Sequence, residues 1–282
     1  MLKKMIPPEI IKSLEKKVYE IRTEIIKMIY KANSGHPGGA LSATDIVTAL
    51  YFYCMNIDPQ RPMWADRDRF ILSKGHTCPV LYATLALRGY YSISLCDTLR
   101  CINSKLQGHP DMKKLSGIDS TSGSLGQGLS IGVGMALVGK MDKKNYTIYV
   151  LIGDGESQEG QIWEAAMSSA KYKLDNLIVF TDYNQLQVDG FVKDVMLIEP
   201  LKDKWESFGW HVQEINGHNM MAILSAVENA KSIKGKPHMI IAHTIKGKGV
   251  SYMENQVEWH GKAPNDEQYV QALRELEAKY ND

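Results

Sequence analysis

The chain has 282 residues, 44% hydrophobic and 23% charged, which allows one large α/β domain or two small ones, and nothing in the composition argues for disorder. A formal net charge of +1 gives no field to recruit nucleic acid or an anionic membrane surface, and no stretch approaches the roughly 20 apolar residues of a membrane span. The four cysteines, Cys54, Cys78, Cys96 and Cys101, lack paired metal spacing, so reduced thiols and a cytoplasmic location are expected.

Met1 to Pro8 is basic, but no apolar core follows it as it would in a secretory leader. From Glu9 to Ala32, apolar residues recur at Ile10, Leu14, Val18, Ile21, Ile25, Ile26 and Ile29, the spacing of an amphipathic helix. Asn33-Ser34-Gly35 ends it, with Gly35 available for a left-handed cap. His36 then sits in a glycine-rich loop, His36-Pro37-Gly38-Gly39, and Ser42 or Thr44 is expected to cap a second helix through Thr48 to Tyr53. Phe70-Ile71-Leu72 predicts a short buried strand. Ser73-Lys74-Gly75-His76 leaves its end, ahead of a helix through Val80 to Leu87. Between Arg88 and Gln107 no chemical signal stands out. His109 lies in Gly108-His109-Pro110-Asp111, so His36, His76 and His109 each occupy a Gly- or Pro-bearing loop, an arrangement unusual for core histidines.

Thr121 to Leu129 combines Gly123, Gly126 and Gly128 with small hydroxyls and opens a helix through Ile131 to Val138 that contains Gly132 and Gly134. Glycine inside a helix costs about 1 kcal/mol relative to alanine, so close packing is expected there. The loop suits a polar ligand through its backbone N–H groups and suits packing equally well. It has neither the lysine of a phosphate loop nor dinucleotide spacing.

The centre of the chain is a βαβ unit. Tyr146 to Ile152 reads as a strand covered on both faces, Gly153-Asp154-Gly155 punctuates it, and Gln161 to Lys173 has helical rhythm. A second buried strand, Leu177 to Phe180, stops at Asp182-Tyr183-Asn184. Such units bind ligands at the carboxyl ends of their strands. Mg²⁺ takes hard oxygens, few of them from protein when phosphate supplies others. Asp154 offers a carboxylate, Asn184 an amide oxygen and Leu186 a backbone carbonyl, while Gly155 lets the backbone approach a phosphate. Gly-Asp-Gly alone is equally a turn; with Asn184 at this spacing, a metal-bridged diphosphate is the better reading.

Val188-Asp189-Gly190 reads as a turn, Leu201 to Phe208 as a helix with Trp205 on its apolar side, and Trp210 to Ile215 as an alternating strand. A helix over Met220 to Ser232 and a strand over His238 to Ala242 follow. Lys246 and Lys248, set among glycines, suit a phosphate or a solvated basic turn. His260 lies in another rigid loop, Trp259 to Pro264, before a last helix, Asp266 to Tyr280, that Asn265 or Asp266 can cap.

Gly153-Asp154-Gly155-Glu156 followed by Asn184 resembles the signature of thiamine diphosphate enzymes. Gly153 to Ala165 as a whole resembles the transketolase branch. The likeness runs from about Ile21 to Pro264 in motif order: Ser34-Gly35-His36-Pro37-Gly38, Ser73-Lys74-Gly75-His76, Gly108-His109-Pro110, Gly123-Ser124-Leu125-Gly126-Gln127-Gly128, the Gly-Asp-Gly unit, and His260-Gly261-Lys262-Ala263-Pro264.

The resemblance implies an α/β fold with a mostly parallel central sheet and helices on both faces. It implies a single thiamine diphosphate-binding domain over 1–282, with the pyrimidine-binding and C-terminal domains of full transketolases absent. By that likeness Asp154, Asn184 and the Leu186 carbonyl hold Mg²⁺, or Ca²⁺ or Mn²⁺ in its place. His76, Gly123, Ser124, Leu125, Gly155, Glu156, Asn184 and Lys246 meet thiamine diphosphate. His36, His109 and His260 line the sugar channel as catalytic residues, and Glu159 and Glu164 lie near a subunit interface. The implied activity is transfer of a two-carbon ketol unit from a ketose phosphate to an aldose phosphate, as in pentose phosphate metabolism. The chain would be the N-terminal half of the enzyme, active only with a separate C-terminal subunit; two copies of each would make a heterotetramer. The alternative is a subunit of another thiamine diphosphate enzyme, of the 2-oxo-acid dehydrogenase or 1-deoxyxylulose-phosphate synthase type; the histidine loops fit transketolase better.

Overall fold

The computed structural model describes residues 6–281, and the basic stretch over 1–5 lies outside them. In chain order the helices and strands are α1 (Pro8–Ala32), α2 (Pro37–Ala49), β1 (Arg69–Leu72), α3 (Cys78–Arg88), α4 (Gln127–Met141), β2 (Ile148–Gly153), α5 (Gly160–Lys171), β3 (Leu177–Tyr183), β4 (Leu186–Gln187), β5 (Gly190–Phe191), α6 (Val192–Val195), α7 (Leu201–Ser207), β6 (His211–Asn216), α8 (Met220–Ser232), β7 (His238–His243) and α9 (Asp266–Asn281). Short 3₁₀ turns and one π-helical turn, Leu50–Cys54, join some of them.

Five strands form one parallel sheet in the order β1-β2-β3-β7-β6, and β4 with β5 makes a small separate hairpin. The sheet is covered on both faces, as its apolar strands require. Tyr149, Leu151, Ile178, Phe180, Ile240 and Ala242 point into one core, shared with α1, α2, α3 and α8. Their neighbours Ile148, Val150, Leu177, Val179, Met239 and Ile241 point into the other, shared with α4, α5 and α7. That alternation is the period of two of a pleated strand. It fixes the register in which Gly153 lies opposite Asp182, so β2 and β3 end side by side at the carboxyl edge.

Some local expectations are corrected. Asn33, not Gly35, takes the left-handed cap of α1, with φ of 45°; asparagine tolerates that region through its short polar side chain. The second helix begins at Pro37, whose ring fixes φ for the first helical position. Ser42 and Thr44 therefore lie inside α2 and bond back to the Gly39 and Ala40 carbonyls instead of capping it. Of the glycines inside α4, Gly132 packs tightly, since a Cβ there would meet Val150 at 2.6 Å, whereas Gly134 has nothing within 4 Å. Asn265 is the cap of α9, its Oδ1 accepting from the Gln268 N–H at 2.9 Å. All four cysteines are free thiols. Among the described residues no helix is long and apolar enough to cross a membrane.

Candidate active site

Asp154 follows β2 and Asn184 follows β3. Asp154 is 3% exposed. Its Oδ1 accepts from the Gly155 N–H at 2.7 Å and its Oδ2 from the Gln185 N–H, so one carboxylate ties the two strand ends together. Burial, and then the charge of Asp182, pushes its carboxyl up to about 7, the mark of a desolvated anion short of counter-charge. The Asn184 Oδ1 accepts from the Leu186 N–H at 3.1 Å. Lys246, 2% exposed, donates from Nζ to the Leu186 carbonyl at 3.0 Å and to His260 Nδ1 at 2.9 Å. Burial lowers its ammonium to about 8, against the pull of Asp154.

A buried hub that sequence reasoning missed supports these tips. Asp182, the penultimate residue of β3, is 0% exposed. It accepts from Lys74, Ser42 and Thr244 side chains and from the Asn184 amide nitrogen. Burial alone would raise its carboxyl, but the Lys74 charge and the hydroxyl donors hold it below the ordinary carboxylate range. Lys74 also donates to the Gly39 carbonyl at 3.1 Å. A charged residue ending an otherwise apolar strand was the available signal for Asp182, and Lys74 lay inside a motif singled out for its histidine.

The histidines of three separate loops converge. Ring centroids of His36 and His76 are 5.1 Å apart, His36 and His260 5.5 Å, and His76 and His260 5.2 Å. The approach explains the glycines after Pro37: a Cβ on Gly38 would sit 2.8 Å from the Trp259 carbonyl oxygen, and one on Gly39 2.7 Å from Thr77. Burial lowers His36 to about 4, with Arg100 the next cause, and lowers His260 to about 3, with Lys246 the next cause. His76 falls further for the same reason. All three rings are therefore neutral near pH 7. His109 is exposed and lies against Gly123, whose Cβ would be 3.3 Å from its ring.

A cleft of about 230 Å³ opens over Asp154, Gly155, Asn184, Leu186, Lys246, His76 and His260, with Leu125, Glu156 and Glu159 also on its wall. Gly123 and Ser124 are exposed on the adjoining loop. Glu156 is buried and spends its carboxylate on the Ser73 hydroxyl and the Gly126 and Gly153 N–H groups, bracing the glycine loop against the end of β2. Glu164 is exposed on α5. A larger cleft, about 730 Å³, lies between α1 and α9 and contains none of these groups.

The donor set suits a hard cation shared with a diphosphate. Asp154, Asn184 and the Leu186 carbonyl could supply oxygens, and Lys246 a positive charge beside them. The described residues hold no group of three His, Cys, Asp or Glu for a metal, so an ion at these tips would draw the rest of its oxygens from phosphate and water.

Residues 13–279 match the family model described as the thiamine diphosphate binding domain of transketolase. The chain is 53% identical over 257 residues to a 6-deoxy-6-sulfo-D-fructose transketolase subunit of Clostridium sp. (strain MSTE9), covering 91% of this chain and 94% of that one. It is 46% identical over 266 residues to an apulose-4-phosphate transketolase subunit of Phocaeicola vulgatus, covering 94% of each. Among solved structures it resembles a transketolase variant from Pichia stipitis, with a TM-score of 0.88 and 32% identity, over 95% of this chain and 40% of that one. The transketolase of Campylobacter jejuni is similar, with a TM-score of 0.88 and 33% identity, over 96% of this chain and 43% of that one. The chain thus spans less than half the length of those solved transketolases.

Proposed function

The chain belongs to the transketolase family through its thiamine diphosphate-binding domain, and from that premise we propose that it is the N-terminal, diphosphate-binding subunit of a two-chain transketolase. The observation that carries the reading is the meeting of Asp154, Asn184 and the Leu186 carbonyl at adjacent strand ends, with Lys246 beside them. A separate partner is supported by the two relatives of matching extent, both named as subunits.

In this reading Asp154, Asn184 and the Leu186 carbonyl hold Mg²⁺, with Ca²⁺ or Mn²⁺ able to use the same oxygens. Lys246 faces the diphosphate, Gly155 lets the backbone come close to it, and His76 with Gly123, Ser124 and Leu125 borders the rest of the coenzyme. Glu156 keeps the glycine loop in place. When bound, thiamine diphosphate supplies the nucleophilic carbon and electron sink for breaking and making a carbon–carbon bond beside a carbonyl. The chain's own work is to orient and to move protons. Because an ammonium only donates, Lys246 makes His260 Nδ1 an acceptor and leaves the proton of this neutral ring on Nε2, where it can donate a hydrogen bond to a sugar oxygen. His36, whose ring meets those of His76 and His260, and His109, against Gly123, are the further groups proposed to meet the sugar.

The donor is proposed to be a ketose with an anionic terminus, phosphate or sulfonate, since the names of both relatives specify such sugars; a pentose phosphate is one member of that class. Two copies of each chain are proposed to assemble, supported by Ile131, Val138 and Met141 exposed on α4 and by Glu159 and Glu164 exposed nearby. A cytoplasmic location agrees with the free thiols.

The test is ketol transfer from a ketose phosphate to an aldose phosphate by the chain, by its C-terminal partner and by the mixture, with thiamine diphosphate and Mg²⁺. The mixture alone should be active. A mixture that binds the coenzyme but decarboxylates pyruvate without transferring a ketol unit would overturn the assignment.

A further inference from the structure

We propose that Arg100 is a positioning residue for His36, its guanidinium holding Nδ1 as an acceptor and leaving the imidazole proton on Nε2, on the side of the converging histidines. The inference deepens the ketol-transfer reading and rests on it for its functional meaning.

Arg100 comes from the loop after the 3₁₀ turn Ile93–Thr98, in the stretch where the sequence carries no chemical signal. Its Nη1 donates to Ser34 Oγ at 3.0 Å, and its Nη2 lies 3.5 Å from His36 Nδ1. Arginine has no acceptor, so the ring nitrogen must accept. One planar fork therefore brackets the residues on either side of Gly35. The opposite side of the ring faces Gly261, whose Cβ would be 3.5 Å from Nε2, and the rings of His76 and His260.

Two backbone features serve this placement. Arg100 itself has φ of 58°, a left-handed conformation uncommon for a residue with a side chain. Its N–H bonds to the Leu106 carbonyl at 2.9 Å and closes the loop. Gly108 leaves room for the fork, since a Cβ there would stand 3.2 Å from the guanidinium carbon. Arg100 is exposed, so no surrounding core fixes its direction; these contacts do. The charged and titratable groups facing His36 are Arg100, His109 and Lys246, with His76 and His260 beside its ring. Burial is the first cause that keeps His36 neutral, and Arg100, His109 and Lys246 follow it in that order.

The test uses the full chain labelled with ¹⁵N-histidine, with His36 resonances assigned from a His36→Gln variant. Long-range ¹H–¹⁵N spectra are followed against pH for the wild type, Arg100→Gln and Arg100→Lys. Wild-type His36 should show the Nε2–H tautomer and remain neutral at pH 6. Arg100→Gln should give mixed tautomers and a titration moved up toward the ordinary histidine value. Arg100→Lys should keep the low titration but hold the tautomer less completely, because a single ammonium lacks the planar fork that serves Ser34 Oγ and His36 Nδ1 together. In the complex with the partner, Arg100→Gln should lower kcat by about tenfold or more, with KM for the ketose little changed and the acid limb of the pH profile moved upward. A wild-type Nδ1–H tautomer, or an Arg100→Gln spectrum like the wild type, would overturn the proposal. The spectra need no partner and no turnover, so a correct tautomer in a chain whose complex transfers no ketol unit counts against the functional reading and not against the role of Arg100 in holding the ring.

Discussion

The Asn184 side-chain nitrogen donates to Asp182 Oδ2 at 3.2 Å. This bond turns the Asn184 oxygen away from Asp182, and that oxygen takes the Leu186 N–H at 3.1 Å. Asp182 gives its other lone pairs to Ser42 on α2, Thr244 after β7 and Lys74 after β1. A single buried carboxylate thus anchors the end of β3 to three other segments, and the amide nearest the proposed metal inherits its orientation from it.

Replacing Asp182 with alanine strands the Lys74 charge in the interior, where both side chains are almost fully buried. Breaking such a pair costs about 3–5 kcal/mol, so the urea midpoint of Asp182→Ala should fall sharply. The double variant Lys74→Met, Asp182→Leu should recover much of that stability while losing the order of the Asn184 amide. A single variant as stable as the wild type would mean the pair is not closed in solution.

Gly38→Ala should also destabilise the chain. The new Cβ would meet the Trp259 carbonyl oxygen at 2.8 Å and Lys246 Cγ at 2.9 Å. Overpacking of this kind costs about 1–3 kcal/mol, and a backbone carbonyl yields less easily than a side-chain tip. Thermal denaturation without coenzyme reads the stability loss. Coenzyme affinity should fall with it, because the displaced atoms carry Lys246 and His260.

The dependence of stability on pH has a defined sign. His238 opens β7 and is 0% exposed. Burial first, and then His211, pushes it down to about 4, against about 6.5 in an unfolded chain. Below about 6.5 the unfolded state therefore binds the extra proton and the folded state does not, so stability falls with the pH from about 6.5 toward 4 and is flat above that window as far as this group is concerned. Denaturation midpoints at pH 7.5 and 5 should differ more in the wild type than in His238→Gln. Equal differences would remove His238 as the cause.

Lys246→Met should weaken thiamine diphosphate binding by the chain–partner complex. A hydrogen bond to a charged group is worth about 1.5–3 kcal/mol, which corresponds to a loss of about tenfold to a hundredfold in affinity. Fluorescence titration of the complex with the coenzyme gives the Kd directly. An unchanged Kd would leave Lys246 with its other contacts only, the Leu186 carbonyl and His260.

The fold was legible because its central strands are apolar on both faces. The runs before Gly153 and Asp182 have the form only a covered parallel sheet requires, and the observed β2 and β3 differ from expectation by a few terminal residues. Asp154 and Asn184 were legible because chemistry at strand ends stands out against such runs. Contacts made by residues far apart in the chain were not. Nothing local marks Asp182 as the partner of Ser42, Lys74 and Thr244, or Arg100 as a neighbour of Ser34 and His36, because those pairings exist only once the loops meet. The cap at Asn33 was missed for a smaller reason, since asparagine and glycine compete for the left-handed position.

Equilibrium dialysis of thiamine diphosphate against the chain–partner complex, with Mg²⁺ held constant, bears most directly on the clamp at the ends of β2 and β3. Wild-type complex should retain the coenzyme and release it when the ion is chelated, and Asp154→Ala should retain none at the same concentrations. An Asp154→Ala complex that holds thiamine diphosphate as tightly as the wild type, with or without Mg²⁺, would contradict the assignment of these strand ends to a metal-bridged diphosphate.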